Sequence, residues 1–338
     1  MHKEGKIFLA GHRGLVGTAI LRRLQVEGYA NIVLRTQAEL DLTVQERVNC
    51  FFEEERPDCV ILAAARVGGI VANSSNPADF IRENVLIGTN VIDAAWRNGA
   101  KKFLFMGSSC IYLKLAPQPL KEEYLLTGPL EPTNEAYAVA KITGIKMCQA
   151  YQIQHGFNSI CLMPTNLYGP GDNFDLTTSH VLPAMIRKFY EARQKGNAAV
   201  EIWGSGRPRR EFLHVGDLAA ACVFILQLPM DTIRKAAPDG ILNVGSGTDL
   251  EIGELALLIR RIVGTDCELR FDSSKPDGTP RKLLDITRMQ NLGWQPQISL
   301  EDGIRATYEW YCTSKNFLSQ SASAVGQRHM TQAVGSKT

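Results

Sequence analysis

Along the first half of the chain, short runs of consecutive apolar residues alternate with longer stretches in which apolar positions recur every three to four residues. Residues 6–10, 31–35, 59–64 and 102–107 have the length and composition of strands, whereas 15–27, 44–56 and 78–98 carry the helical period. Strand and helix in alternation predict a parallel sheet covered on both faces, because parallel neighbours need a crossover connection. Ligands of such sheets lie beyond the carboxyl ends of the strands. Further along, 159–163 and 200–203 read as strands, 164–170 as a turn-rich segment and 180–193 as a helix. Phe212-Leu213-His214-Val215-Gly216-Asp217 leads into another helix ending near Leu228, and Asn243-Val244-Gly245-Ser246-Gly247 into an amphipathic stretch ending at Val263. From residue 313 the chain is rich in Ser, Ala, Gln and Gly without apolar period, so a mobile tail is expected over 313–338.

The first strand runs into Gly11-His12-Arg13-Gly14-Leu15-Val16-Gly17, a glycine-rich turn opening a helix. One glycine permits the tight turn, one lets the backbone approach a pyrophosphate, and one lets the helix pack on the strand, leaving N–H groups aimed at phosphate. A dinucleotide site is therefore expected. The second strand ends at Arg35, where an NAD-selecting site would place an acid on the ribose hydroxyls, and Arg13 lies inside the turn. Two guanidinium groups there favour the extra phosphate of NADP(H). The predicted fold class is α/β, a Rossmann-type doubly wound parallel sheet with a smaller C-terminal α/β substrate-binding domain. The sheet is expected over 1–178, with later segments returning to it, the substrate domain mainly over 179–312, and the tail beyond.

Composition narrows the partners. The 338 residues are 45% hydrophobic and 21% charged, with a net charge of +2, which gives no reason to expect nucleic acid or an anionic membrane. No run of about 20 apolar residues and no secretory leader is visible, so a cytoplasmic chain is expected. The eight cysteines show no CxxC pairing or metal-like clustering; most are expected to be buried free thiols, and no metal site is predicted.

The candidate chemistry centres on Glu131-Pro132-Thr133-Asn134-Glu135-Ala136-Tyr137-Ala138-Val139-Ala140-Lys141. Pro132, Thr133 and Asn134 read as a turn and helix cap, after which Tyr137 and Lys141 share one helix face. A nearby ammonium would bring a phenol, whose ordinary pKa is roughly 10, within use as a proton donor to a carbonyl oxygen. Ser108, in Gly107-Ser108-Ser109-Cys110 after the fourth strand, could hydrogen-bond the same oxygen. Standing alone, such a tyrosine–lysine pair is usually just a helix surface.

Together, the glycine turn, the Gly-Ser-Ser and the Tyr-x-x-x-Lys helix resemble the extended short-chain dehydrogenase/reductase family, which includes many sugar-nucleotide enzymes. Longer matches lie in residues 64–70, 107–112, 164–170, 172–174, 179–181, 203–206 and 275–282, and the resemblance covers residues 6 to 311. These resemble the branch that turns GDP-4-keto-6-deoxy-D-mannose into GDP-L-fucose by epimerising C3 and C5 and then reducing C4 with NADPH. The resemblance implies Cys110 and His180 as an acid/base pair for epimerisation, and Ser108, Tyr137 and Lys141 for reduction. It implies cofactor contacts from the glycine turn, Arg35, Gln37, Asp41, Leu42, Met106, Gly107, Ser108, Ser109, Tyr137, Lys141, Pro164, Thr165, Asn166, Leu167 and His180. Substrate contacts fall on Ser108, Cys110, Lys188, Trp203, Arg210 and Asp277. A homodimer through the 78–98 helix and the helix bearing Tyr137 is the family expectation.

Three positions depart from the pattern: Leu113 where proline is usual, and Gln37 and Lys188 where some members carry arginine. Arg207 and Arg209 are expected to be solvated surface charges, and His214 a structural histidine. Two other readings stay open. A 4,6-dehydratase or 4-epimerase would share the fold, although dehydratases need an acidic pair where this chain has Ser109-Cys110. A non-catalytic NADP-sensing module would not need Ser108, Cys110, Tyr137, Lys141 and His180 together.

Overall fold

A computed structural model describes residues 3–196, 198–275 and 277–314. In chain order the first elements are β1 (Ile7–Ala10), α1 (Leu15–Val26), β2 (Ile32–Val33), α2 (Gln45–Glu55), β3 (Cys59–Leu62), α3 (Ile70–Ser75), α4 (Pro77–Arg97) and β4 (Lys102–Met106). Then follow α5 (Glu135–His155), β5 (Ser159–Pro164), β6 (Asn166–Tyr168), α6 (Val181–Lys195), β7 (Ala199–Trp203) and β8 (Arg209–His214). The chain continues through α7 (Val215–Gln227), α8 (Met230–Ala236), β9 (Ile241–Val244), β10 (Asp249–Glu251), α9 (Ile252–Val263), β11 (Glu268–Asp272), β12 (Arg281–Lys282), α10 (Thr287–Asn291) and a helix α11 over 300–314.

The main sheet has six parallel strands in the order β2-β1-β3-β4-β5-β9. Its strands are continuous apolar runs because both faces are covered, and alternate residues serve the two faces. Phe8, Val60, Leu62, Phe103 and Phe105 point into a core with α2, α4 and α5, while Ile7, Leu9, Ile61, Leu104 and Leu162 point into a second core with α1 and α7. Gly144 of α5 lies so close to the Phe105 ring that a Cβ there would collide with it. That close approach brings the Tyr137–Lys141 face of α5 against the end of β4. On the other side, Lys102 of β4 is buried and caps α7: its ammonium donates to the carbonyls of Ile225, Leu226 and Leu228 at 3.2, 3.0 and 2.6 Å.

A third core joins α6, α9 and α11 through Ile186, Phe189, Leu255, Ile259 and Ile304. Over it lie a parallel pair, β7 and β11, and a small mixed sheet in which β8 is flanked by β10 and β12 and also pairs with β6. Two strand expectations change. The strand expected over 31–35 is only two residues long, because Arg35 turns from the sheet edge to pair with Glu55. The expected turn-rich stretch 164–170 contains β6, aligned parallel to β8 with Asn166 opposite Phe212. The tail expected from 313 begins with two more helical residues, and 315–338 lie outside the described residues. Among the described residues no single helix is long and apolar enough to cross a membrane.

Candidate active site

The glycine turn fits a dinucleotide. Gly11 has φ +89°, in the region where side chains are strained, and a Cβ on it would lie 2.6 Å from the Ala64 backbone nitrogen. Gly17 packs against the Gly11 carbonyl so tightly that any Cβ would overlap it. Gly14 caps α1 with no side-chain hydrogen bond, leaving the start of the helix open to an anion. His12 Nδ1 is buried without a hydrogen-bond partner, an atom a ligand could satisfy. Beside the turn, Arg35 donates to Glu55 at 2.6 Å and lies over the Phe51 ring at 5.4 Å, whereas Arg13 is exposed and Gln37 is exposed. Asp41 is turned inward on Thr43, accepting from its N–H and hydroxyl at 2.9 and 2.7 Å, and the Leu42 carbonyl accepts from Asn90. Beyond β5, Thr165 and Asn166 donate to the Glu211 carbonyl, fixing the Pro164–Leu167 segment along β8.

At the end of β4, Gly107 donates to the Leu162 carbonyl, and Ser108 caps a short 3₁₀ turn by accepting from the Cys110 N–H at 3.2 Å. The Ser108 hydroxyl is also a hydrogen-bond partner of Tyr137. Lys141 is buried, donates to the Met106 carbonyl at 2.7 Å, and stands 5.7 Å from the Tyr137 ring centroid. Burial pushes its ammonium down to about 8. The expectation that Lys141 lowers the phenol is not what the protein alone displays: burial pushes Tyr137 up, the Cys110 charge adds to this, and only the Ser108 bond opposes it. A lysine bonded to a carbonyl and itself losing its proton near pH 8 is a weak counter-charge. Tyr137 thus keeps its proton and stands as a donor.

Cys110 behaves differently. Burial alone would raise its thiol, but the Lys282 ammonium 3.5 Å from Sγ, with hydrogen bonds from Ser108, Lys282 and Asn134, brings it below the ordinary thiol value. His180 caps α6 with its backbone and leaves its side chain free of that role. His180 is an exposed residue whose imidazole is nonetheless partly desolvated, and desolvation, with the Lys282 charge, lowers its pKa. Ser108, Cys110 and Tyr137 are therefore interlinked beyond the carboxyl end of β4, Lys141 stands beside Tyr137, and the field of Lys282 reaches both Cys110 and His180. Asn134 and Lys282 join them, and neither was singled out from sequence. Asn134 reads there as a helix cap, but its side chain makes no cap bond and turns to Cys110, leaving Oδ1 buried and unpartnered. Lys282 lies 172 residues from Cys110 on a two-residue strand; it closes the 275–282 match seen in the sequence, but nothing in that match gave it a role.

The expected substrate residues line the second lobe. Lys188 donates to the Glu201 carbonyl at 2.8 Å and lies 5.7 Å over Trp203, whose other neighbour is Lys275 at 5.6 Å. Arg210 donates to the carbonyls of Arg209 and Asp277 at 2.8 and 3.3 Å. Burial lowers both cations from their ordinary values. Both Asp277 carboxylate oxygens accept from Ser205, at 2.7 and 2.8 Å, so this residue closes the 204–205 turn. Arg209, expected as a solvated charge, is instead paired with Asp249 at 3.1 Å, while Arg207 is exposed. His214 is structural as expected, its Nδ1 accepting from the Gly216 N–H.

Residues 7–245 match the profile of the NAD dependent epimerase/dehydratase family. The chain belongs to the NAD dependent epimerase/dehydratase family. This epimerase/dehydratase family member is 58% identical to GDP-L-fucose synthase 1 of Arabidopsis thaliana, the match covering 91% of this chain and 94% of the relative. It is 52% identical to the GDP-L-fucose synthase of Escherichia coli strain K12, over 92% of this chain and 98% of the relative. Among solved structures it resembles a GDP-mannoheptose C4 reductase from Campylobacter jejuni with NADP bound, with TM-score 0.84 and 42% identity, over 92% of this chain and 99% of that one.

Proposed function

We propose that the chain is an NADPH-dependent epimerase and reductase that converts GDP-4-keto-6-deoxy-D-mannose to GDP-L-fucose, first inverting C3 and C5 and then reducing C4. The observation that carries it is the meeting, in one cleft, of a reductase trio with an activated thiol: Ser108 and Tyr137 beside Cys110, whose sulfur lies 3.5 Å from Lys282. The relatives at 58% and 52% identity support the same reading.

The chemistry follows from the protonation states. A 4-ketone acidifies the hydrogens on C3 and C5, so inversion needs a base on one face and an acid on the other. Cys110, brought below the ordinary thiol value, and His180, brought below the ordinary imidazole value, are the two groups that would pass the proton. Ser108 and Tyr137 donate hydrogen bonds to the 4-oxygen as charge builds on it. When bound, NADPH supplies hydride to C4. Tyr137 then gives its proton to that oxygen, and Lys141 holds the phenol's neighbourhood fixed through Met106. The ketone activates the first two steps and is consumed in the third, so one site suffices. The glycine turn, Arg13 and Arg35 would hold the cofactor diphosphate and ribose phosphate, and Lys188, Arg210, Trp203 and Asp277 the sugar nucleotide. The paired helices α4 and α5 would form a homodimer face, and a cytoplasmic setting fits the reading.

A second reading is a 4-reductase without epimerisation, favoured by the likeness to the C4 reductase. Both are tested by NADPH oxidation with GDP-4-keto-6-deoxy-D-mannose in deuterated water, followed by NMR. Stoichiometric oxidation with deuterium at C3 and C5 of GDP-L-fucose is expected. Oxidation without label would leave only the reductase, and no turnover would remove both.

A further inference from the structure

We propose that Lys282 is the positioning residue of the epimerising pair, its one ammonium acting on the charge states of both Cys110 and His180. The consequence for epimerisation rests on the function proposed above; the effect on the thiol does not. The ammonium stands 3.5 Å from Cys110 Sγ, and its field acts on His180 as well. Its strand is held on both sides. Lys282 is aligned with Arg210 of β8, the following Leu283 N–H donates to Gln118 at 2.9 Å, and the Leu284 N–H donates to the buried carboxylate of Glu211 at 3.0 Å. Strand β12 thus presents the ammonium to the cleft from a fixed backbone.

The other charged and titratable groups around the thiol are accounted for. Ser108 and Asn134 donate hydrogen bonds to it, and Tyr137 stays protonated. Glu131 is paired with Lys114 at 3.1 Å, and Arg281 with Asp249. Lys282 is the cation on the sulfur.

Its charge favours each half of a proton relay. Before reaction it stabilises the Cys110 thiolate. The thiolate then takes the proton from C3 or C5, the C–H electron pair moves into an enolate on O4, and the sulfur becomes neutral. The ammonium has now lost its counter-charge, which disfavours an imidazolium at His180 and favours transfer of that proton to the opposite face of the carbon. Lys282 takes no part in the transfer itself, and solvent resets the pair by taking the thiol proton and returning one to the imidazole. A purely structural lysine would anchor β12 without any of this.

The test measures alkylation of the full-length, cofactor-free protein by iodoacetamide from pH 5 to 10, following the Cys110 peptide by mass spectrometry. Replacing Lys282 by Met or by Gln is expected to move the Cys110 profile to higher pH and slow alkylation at pH 7 about tenfold. Lys282→Arg, which keeps the charge, is expected to follow wild type. In parallel, solvent deuterium entry at C3 is expected to fall about tenfold in Lys282→Gln at pH 7 and to recover toward pH 9. An unchanged Cys110 profile in either neutral variant, with native circular dichroism and NADPH binding, would overturn the proposal. So would loss of the low-pH profile in Lys282→Arg. Wild-type protein that alkylates as expected but places no deuterium in the sugar would sink the epimerase function and leave the thiol–ammonium pairing intact.

Discussion

Asp172 gives a pH signature that can be worked out in advance. Its Oδ2 is buried without a hydrogen-bond partner, while Oδ1 accepts from the Asn173 N–H at 2.7 Å. Burial pushes the carboxyl from its ordinary 3.8 up to about 7. Between these values the native protein holds a proton that the unfolded chain has lost, so stability falls as pH rises through the window and levels off above it. The gap of roughly three pH units corresponds to about 4 kcal/mol at alkaline pH, and to about 2 kcal/mol at pH 5.5. Asp172→Asn mimics the protonated acid, keeps the acceptor for Asn173, and removes the titration. Urea-unfolding midpoints of variant and wild type at pH 5.5 and 8.5 isolate the effect, since every other group titrates in both proteins. The variant's advantage should grow by about 2 kcal/mol between the two pH values. An advantage that stays constant would mean that the carboxylate is solvated or paired, and the reasoning would fail.

Other outcomes follow from the cleft. Tyr137→Phe should slow NADPH oxidation by about 10²–10⁴-fold, read in single-turnover assays, while solvent deuterium still enters the substrate. Cys110→Ser should bind substrate yet leave C3 and C5 unlabelled by NMR; normal labelling would remove the thiol from the mechanism. Arg35→Ser should weaken NADPH binding about 10–100-fold and leave NADH unchanged, as loss of one charge-assisted contact implies. Arg210→Leu should raise KM for the sugar nucleotide well beyond the effect of Arg209→Leu, whose charge is already neutralised by Asp249.

The alternation of apolar runs and helical periods marks β1, β3, β4 and β5 of the main sheet, because strands buried on both faces carry near-continuous apolar runs. Gly11 and Gly17 were legible for a similar reason: each sits where a Cβ would strike backbone, so the residue type records the geometry. Where one face meets water the record thins. The strand at the sheet edge shrank to Ile32–Val33, and β6 hid inside a segment of turn-forming residues because its pairing partner, β8, lies more than forty residues on. Register between such distant pieces is set by tertiary packing that no local pattern carries.

The same division runs through the site. Tyr137 and Lys141 announce themselves by lying on one helix face, but the sequence misleads on what that spacing does. It suggests a lysine that acidifies the tyrosine; the fold buries both, bonds Lys141 to Met106, and leaves the phenol protonated. The cations of the second lobe show why charge cannot be read residue by residue. Arg209 and Arg210 are adjacent in sequence, yet successive residues of a strand face opposite sides. Arg209 meets the Asp249 carboxylate, whereas Arg210, like Lys188, reaches backbone carbonyls. A carbonyl orients a cation without neutralising it, so burial works against both charges. A bound diphosphate would add to the carboxylate fields already acting on them, Asp277 and Glu131 on Arg210 and Glu201 on Lys188. Keeping those two groups charged and partly buried in the free protein carries an energetic cost that an anionic ligand would offset, and that is the physical argument for the substrate contacts proposed above.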